Sequence, residues 1–212
     1  MNITPFKSPW LTTKFFSDYT WKKPTDNKTI YLTFDDGPTP EVTNWVLEIL
    51  KQYNAKATFF CIGNNIEKYP ELFRKIIDEN HKVANHTYYH EKGWKIKNQD
   101  YINSIIKTEK LICKMDSNNK SKLFRPPYGQ IRKAQGQAIM EMGYKIIMWS
   151  VLTQDWKSNI SNEYCYKKTI KSINKGSIVV FHDSFKAEEK LKYLLPRVLE
   201  HFSSRGFNFK SL

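Results

Sequence analysis

The sequence predicts an α/β protein, folded as a closed or nearly closed (β/α) barrel of parallel strands in a single domain. Three observations lead there. Short β-branched or aromatic runs alternate about seven times with runs of helical period, the pattern of parallel strands joined by right-handed helical crossovers. The order contains neither a doubling-back nor the Gly-rich phosphate loop of an open doubly wound sheet. Five stretches of reactive side chains each follow a predicted strand, and in a parallel barrel all strand C-termini share one face, where such stretches converge.

Residues 1–28 set Trp10, Phe15, Phe16, Tyr19 and Trp21 among Lys and Pro without a regular period, and read as an irregular arm whose aromatics pack onto the domain or a partner. The domain runs from 29 to 212. Thr29 to Phe34 is β-branched and aromatic enough for a buried strand, and the breaker Gly37-Pro38 leaves Asp35 and Asp36 at its C-terminal end. Pro40 to Tyr53 spaces Val42, Trp45, Val46, Ile49 and Leu50 helically, with Thr39 as a candidate cap. Ala57 to Ile62 is a second strand stopping at Gly63, and Pro70 to Asn80 a helix turning Leu72, Phe73, Ile76 and Ile77 inward. His81 to Asn85 is a short strand leading into His86-Thr87-Tyr88-Tyr89-His90, and Tyr101 to Met115 is a helix. A polar turn, Ser117 to Ser121, precedes the short strand Lys122 to Phe124 and the stretch Arg125-Pro126-Pro127-Tyr128-Gly129. Ile131 to Met142 is helical and ends at Gly143. Then come a strand Tyr144 to Trp149, a loop with Asp155-Trp156, and a helix Asn162 to Ile173. Ser177 to Phe181 is a strand ending at His182-Asp183, followed by a helix Glu188 to Phe202 and a terminal strand around Phe207.

Composition narrows the class. With 212 residues, 40% hydrophobic and 26% charged, the chain can bury one sizeable core. The net charge of +13 favours an anionic environment, but the Lys are scattered and no nucleic-acid motif accompanies them, so a solvated basic surface is expected and nucleic acid is not. Cys61, Cys113 and Cys165 are odd in number and far apart, and read as buried thiols. Neither a signal peptide nor a membrane-spanning run is visible, which points to the cytoplasm.

The chemistry gathers after the strands. Two adjacent carboxylates repel unless a cation or a shared proton relieves them, so Asp35-Asp36 suggests a metal or an acid/base dyad; Asp36-Gly37-Pro38 is also ordinary turn chemistry. His86 and His90 are four apart, so on one helical turn both imidazoles face one cation, and a carboxylate from Asp35 or Asp36 completes a set that leaves positions open for water and substrate. The plain alternative is two unrelated surface His. Arg125 opens a stiff Pro-Pro loop suited to holding a charge and a backbone N–H, or it is a solvated connector. His182 is a candidate acid if a carboxylate such as Asp155 tunes it, and a satisfied core His otherwise. Trp156 floors an apolar pocket or fills the core.

Taken together, Thr33-Phe34-Asp35-Asp36-Gly37-Pro38, His86 to His90, Arg125 to Gly129, Asp155-Trp156 and the strand ending in His182-Asp183 resemble, in order, the five motifs of the polysaccharide deacetylases, the NodB-homology family or carbohydrate esterase family 4. The resemblance runs from about residue 29 to the C-terminus. It implies a distorted (β/α)7 barrel and metal-dependent removal of N-acetyl groups from β-1,4-linked amino sugars, such as the N-acetylglucosamine units of peptidoglycan or chitin. By the same resemblance Asp35 is the base, and Asp36, His86 and His90 hold a divalent metal ion, zinc in most relatives, with cobalt as the other candidate. Arg125 then positions Asp35, His182 protonates the departing amine under the influence of Asp155, the Tyr128 N–H joins the metal at the oxyanion, and Trp156 with Val180 encloses the acetyl methyl. A monomer acting on an acetylated amino-sugar polymer is expected. Leu152 stands where many relatives carry a further Asp three residues before the Asp-Trp pair, which implies altered loop support. Two other readings compete: a catalytically silent glycan- or anionic-polymer-binding protein, suggested by aromatic content and charge, and a glycosidase using Asp35 and Asp155, which leaves the His pair unexplained.

Overall fold

The computed structural model describes residues 5–117 and 121–212. The polar turn expected from Ser117 to Ser121 falls on 118–120, outside the described residues, as do the first four residues of the arm. The strands are β1 (Thr29–Asp35), β2 (Thr58–Cys61), β3 (Lys82–Asn85), β4 (Leu123–Phe124), β5 (Lys145–Ile146), β6 (Val151–Leu152), β7 (Ile178–His182) and β8 (Asn208–Lys210). They form one sheet in the order β5-β4-β3-β2-β1-β7-β6, with β8 beside the start of β1, and every ladder is parallel. Helices α1 (Trp10–Phe15), α2 (Pro40–Gln52), α3 (Gly63–Lys68), α4 (Pro70–Asp78), α5 (Asn98–Met115), α6 (Lys133–Glu141), α7 (Asn162–Ser172) and α8 (Glu188–Ser203) complete the chain. The sheet curls into the distorted barrel that the sequence predicts. No helix among the described residues is long and apolar enough to cross a membrane.

β1 is the axis of the fold, and all seven of its residues are buried. Because strand side chains alternate in direction, Ile30, Leu32 and Phe34 face one way and Tyr31, Thr33 and Asp35 the other. The first set packs with Val46, Leu50, Leu191, Leu195 and Val198 from α2 and α8. Phe34 stacks between Phe59 and Phe181 at centroid distances of 5.0 and 5.7 Å, and burial of such a ring contributes about 1.5–3 kcal/mol. On the other side Tyr31 joins Phe60, Ala84, Leu123, Ile147 and Ile178 inside the barrel. Asp35 thus belongs to the interior face of a fully buried strand, which removes its freedom to be an ordinary turn residue.

The two ends of the sheet, β5 and β6, are bridged by the arm. Thr20 donates to Ile146 O at 2.9 Å and accepts from Met148 N at 2.8 Å; Leu152 N donates to Phe6 O at 2.8 Å and Ser8 N to Ser150 O at 3.1 Å. Backbone groups of an otherwise open seam are satisfied this way. The arm therefore packs Tyr19 and Trp21 onto the barrel, whereas Trp10, Phe15 and Phe16 stay exposed.

Four expectations need correction. The strand expected from Tyr144 to Trp149 shrinks to β5, because the carbonyls of Ile147 and Met148 accept from Arg125 and not from a neighbouring strand, and β6 stands where a loop is expected. The short α3 is invisible in sequence, since Ile66 is its single apolar side chain of any size. Thr39 makes no side-chain cap to α2; instead its N–H donates to Thr43 Oγ1 at 2.8 Å. Cys61 and Cys165 are buried as expected, but Cys113 is exposed: Ile105, Thr108 and Ile112 line the inner face of α5, and the next residue rotates outward.

Candidate active site

The strand C-termini open into a cavity of about 770 Å³ lined by Asp35, Asp36, His86, His90, Tyr128, Leu152, Trp156 and His182, among others. Three charged constellations meet there, each joining residues from two strand ends: β1 with β4, β1 with β3, and β6 with β7.

The first is Arg125 with Asp35. Arg125 follows β4 and is completely buried, with its guanidinium reaching across the barrel interior. Nη1 donates to Asp35 Oδ1 at 2.6 Å and to Thr33 Oγ1 at 2.8 Å, while Nε and Nη2 donate to the carbonyls of Ile147 and Met148 at 3.1 and 2.9 Å. The planar fork is held by all of these acceptors and by the Phe60 ring 4.0 Å away, so Asp35 faces the cavity from a fixed position. A solvated connector is thereby excluded.

The second is Asp36 with His86 and His90, whose nearest ligand atoms all lie within 4.8 Å of one another. Asp36 Oδ1 is 3.2 Å from His90 Nε2 and 3.7 Å from His86 Nε2, is buried, and makes no properly directed hydrogen bond. His86 Nδ1 donates to Arg125 O at 2.7 Å, which leaves Nε2 bare and aimed at Asp36. Burial lowers the His86 pKa to about 4, so the ring is neutral near pH 7 and offers a lone pair. Two imidazole nitrogens and a carboxylate oxygen around an otherwise orphaned buried atom fit a divalent cation, whose ligands at about 2.0–2.1 Å stand roughly 3.4 Å apart in tetrahedral geometry. The His pair does converge, but not on a helical turn. The segment is a loop with Thr87 and His90 at φ 64° and 60°, shaped by Thr87 N donating to Asn85 Oδ1 and Tyr88 N to Ser104 Oγ.

The third is His182 with Asp155. Asp155 Oδ1 is 2.7 Å from His182 Nδ1, and Oδ2 accepts the His182 backbone N–H at 2.8 Å. Burial works to lower the imidazole pKa, yet the Asp155 charge and hydrogen bond outweigh it and raise it to about 9. Trp156 lies edge-on to His182 with centroids 4.7 Å apart. Tyr128, at φ 58°, places its ring 4.5 Å from that of His90 at the rim. Val180 is fully buried in β7 and is not among the cavity-lining residues; Leu152, its ladder partner in β6, is.

Several residues that shape the site carried no assignment from sequence. Asp183 is fully buried, accepts Gly37 N–H at 3.0 Å through Oδ1, and accepts the Thr43 hydroxyl at 2.6 Å through Oδ2. Burial pushes its carboxyl up to about 8. A Cβ on Gly37 would stand 2.0 Å from Asp183 Oδ2, so the turn after Asp36 is closed directly onto this carboxylate. Asn65 Nδ2 donates to Asp36 O at 2.8 Å from the other side. The visible signal was the placement of Asp183 beside His182 at a strand end, but its partner Gly37 is distant in sequence.

A sequence model of the polysaccharide deacetylase family matches residues 22–147. A peptidoglycan-N-acetylglucosamine deacetylase of Bacillus cereus is 38% identical over 166 residues, which are 78% of this chain and 60% of that protein. A second from the same organism is 33% identical over 192 residues, covering 90% of this chain and 89% of the relative. PgdA of Listeria monocytogenes is 37% identical over 186 residues, 88% of this chain and 38% of that longer protein. Among solved structures, the Bc1960 peptidoglycan N-acetylglucosamine deacetylase superposes with a TM-score of 0.87 at 32% identity, covering 97% of this chain and 95% of that one. A carbohydrate esterase family 4 pseudoenzyme of Bacillus anthracis shares the fold at 24% identity and a TM-score of 0.79, over 91% of this chain and 66% of its own. The sequence motifs, the barrel and these matches agree: the chain belongs to the polysaccharide deacetylase family.

Proposed function

We propose that this protein hydrolyses the N-acetyl groups of an amino-sugar polymer, peptidoglycan in the first instance, in a metal-dependent reaction that yields acetate and a free amine. The observation that carries this reading is the convergence of Asp36, His86 and His90 in one cavity with the Arg125–Asp35 and Asp155–His182 pairs. A divalent cation held by Asp36, His86 and His90, zinc or cobalt, would polarise the acetamide carbonyl and acidify the attacking water. Asp35 takes that water's proton, and Arg125 keeps the carboxylate oriented. The Tyr128 N–H donates to the oxygen that becomes negative as the carbonyl carbon turns tetrahedral. His182, held as imidazolium by Asp155, gives its proton to the sugar nitrogen as the C–N bond breaks. Leu152 and Trp156 offer apolar surface for the acetyl methyl. The glycosidase reading is disfavoured because Asp35 is committed to Arg125 and Asp155 to His182.

The peptidoglycan assignment rests on the relatives that are named peptidoglycan deacetylases, including two from Bacillus subtilis named for N-acetylmuramic acid. The fold-sharing pseudoenzyme keeps a silent glycan-binding protein as the second reading. Acetate release from N-acetylglucosamine oligomers and peptidoglycan fragments, with zinc or cobalt and again with a chelator, separates them. Metal-dependent acetate that disappears in Asp35→Asn is expected. Full activity after chelation would sink the metal mechanism, and salt-sensitive binding without acetate would support the silent binder.

A further inference from the structure

The turn between β7 and α8 brings Ser184, Phe185 and Lys186 to the wall of the catalytic cavity, immediately after His182. It is held by Ala187 N donating to Ser184 O at 3.0 Å and Glu188 N to Phe185 O at 3.4 Å. Lys186 is the single Lys or Arg among the cavity-lining residues. Its side chain is exposed and makes no hydrogen bond, ion pair or ring contact with any described residue. Every other charge in the cavity has a protein partner or a ligand role: Asp35 has Arg125, His182 has Asp155, and Asp36 faces His86 and His90. Nearby Glu188 is taken by Lys192 at 2.6 Å. Phe185, next to this free cation, is 63% exposed and stacks on no other ring among the described residues. A cation and an apolar ring, consecutive in the chain and both on the cavity wall, match a group that has a carboxylate and a short alkyl branch.

We propose that Phe185 and Lys186 form a specificity element that reads a carboxylate-bearing, lactyl-type substituent on the bound glycan, with Lys186 pairing the carboxylate and Phe185 covering the methyl branch. The proposal rests on the deacetylase reading for its substrate class and selects within it: a glycan with free lactyl carboxylates over a neutral N-acetylglucosamine polymer. An exposed Lys–carboxylate pair is worth up to about fivefold in affinity, and its contribution is screened by salt.

The test uses three tetrasaccharides: one with alternating lactyl-substituted units bearing free carboxylates, the same compound with those carboxylates converted to primary amides, and the neutral N-acetylglucosamine tetramer. Acetate release is measured for the intact chain, Lys186→Gln and Lys186→Arg. Calorimetric binding of each compound is measured in the Asp35→Asn background, with Lys186 intact and with Lys186→Gln added. The expected result is a preference of about fivefold for the free carboxylate over its amide, lost in Lys186→Gln, retained in Lys186→Arg and reduced by salt. The proposal is overturned if Lys186→Gln keeps the preference, lowers all three compounds alike, or if no preference exists to begin with. Should no compound release acetate, the deacetylase reading fails on its own, while the binding arm still decides whether Lys186 reads the carboxylate.

Discussion

Replacing Asp155 by Asn keeps the shape of the His182 partner and removes its charge. The Asp155 carboxylate, 2.7 Å from Nδ1, is what lifts the imidazole from the ordinary 6.5 to about 9 against the effect of burial. A rise of that size corresponds to roughly 3 kcal/mol in favour of the imidazolium in the folded protein. Since the folded-state pKa is above the unfolded one, this stabilisation is fully present below pH 6.5 and lost as pH climbs through about 9. In Asp155→Asn the desolvation remains with only the weaker pull of Asp36 and Asp35 against it, so the His182 pKa should fall to 6.5 or below. The gap in unfolding free energy between the two proteins should then be larger at pH 6 than at pH 10 by about 3 kcal/mol. Urea unfolding of the metal-free proteins across that range reads the gap, and an NMR titration of the His182 ring reads the pKa directly. For catalysis, a His182 that is neutral at pH 7 is a poor proton donor, so kcat should fall and its optimum move to lower pH. An equal gap at both pH values, or an unmoved imidazole pKa, would refute the reasoning.

Other consequences are independent of that pair. Asp183→Ala leaves the Gly37 N–H and the Thr43 hydroxyl without acceptors and loosens the turn carrying Asp36; metal affinity, measured by chelator competition, should weaken about 10- to 100-fold, and unchanged affinity would deny Asp183 that positioning role. Arg125→Met strips the ion-pair partner from buried Asp35 and orphans two carbonyls, so unfolding free energy should drop by about 3–5 kcal/mol; a loss within 1 kcal/mol, on the order of a surface change, would mean that Asp35 finds another partner. A thiol reagent applied to the native protein should label Cys113 alone, because Cys61 and Cys165 are buried and burial raises both thiol pKa values, that of Cys165 to about 12; mass spectrometry of the peptides checks it.

Much of the fold was legible because period and punctuation act locally. The seven buried residues of β1, the helical spacing in α2, α5 and α8, and the breakers at Gly37-Pro38 and Gly143 are properties of neighbouring residues, and they appear where expected. What failed was short or governed by distant partners. α3 has too few apolar residues for a period to show, and the break between β5 and β6 is made by a guanidinium that enters from β4. The His86–His90 spacing suits a helical turn, whereas a loop bent at Thr87 and His90 brings the rings together.

The sequence by itself determined the alternating α/β plan, the single domain, and which side chains stand at strand ends, since burial pattern and turn chemistry are written in consecutive residues. Motif order even pointed to the family. Only the tertiary structure decided which of those side chains meet. Arg125 is neutral to local pattern, yet its charge ends 2.6 Å from Asp35, ninety positions away in sequence. Asp183 looks like the tail of a strand and turns out to hold the turn after Asp36. The arm, aperiodic in sequence, fills the seam between β5 and β6 because unpaired backbone groups there need partners. Hydrogen bonds and charge pairing at this range depend on how a curled parallel sheet gathers its strand ends, and no local periodicity encodes that gathering.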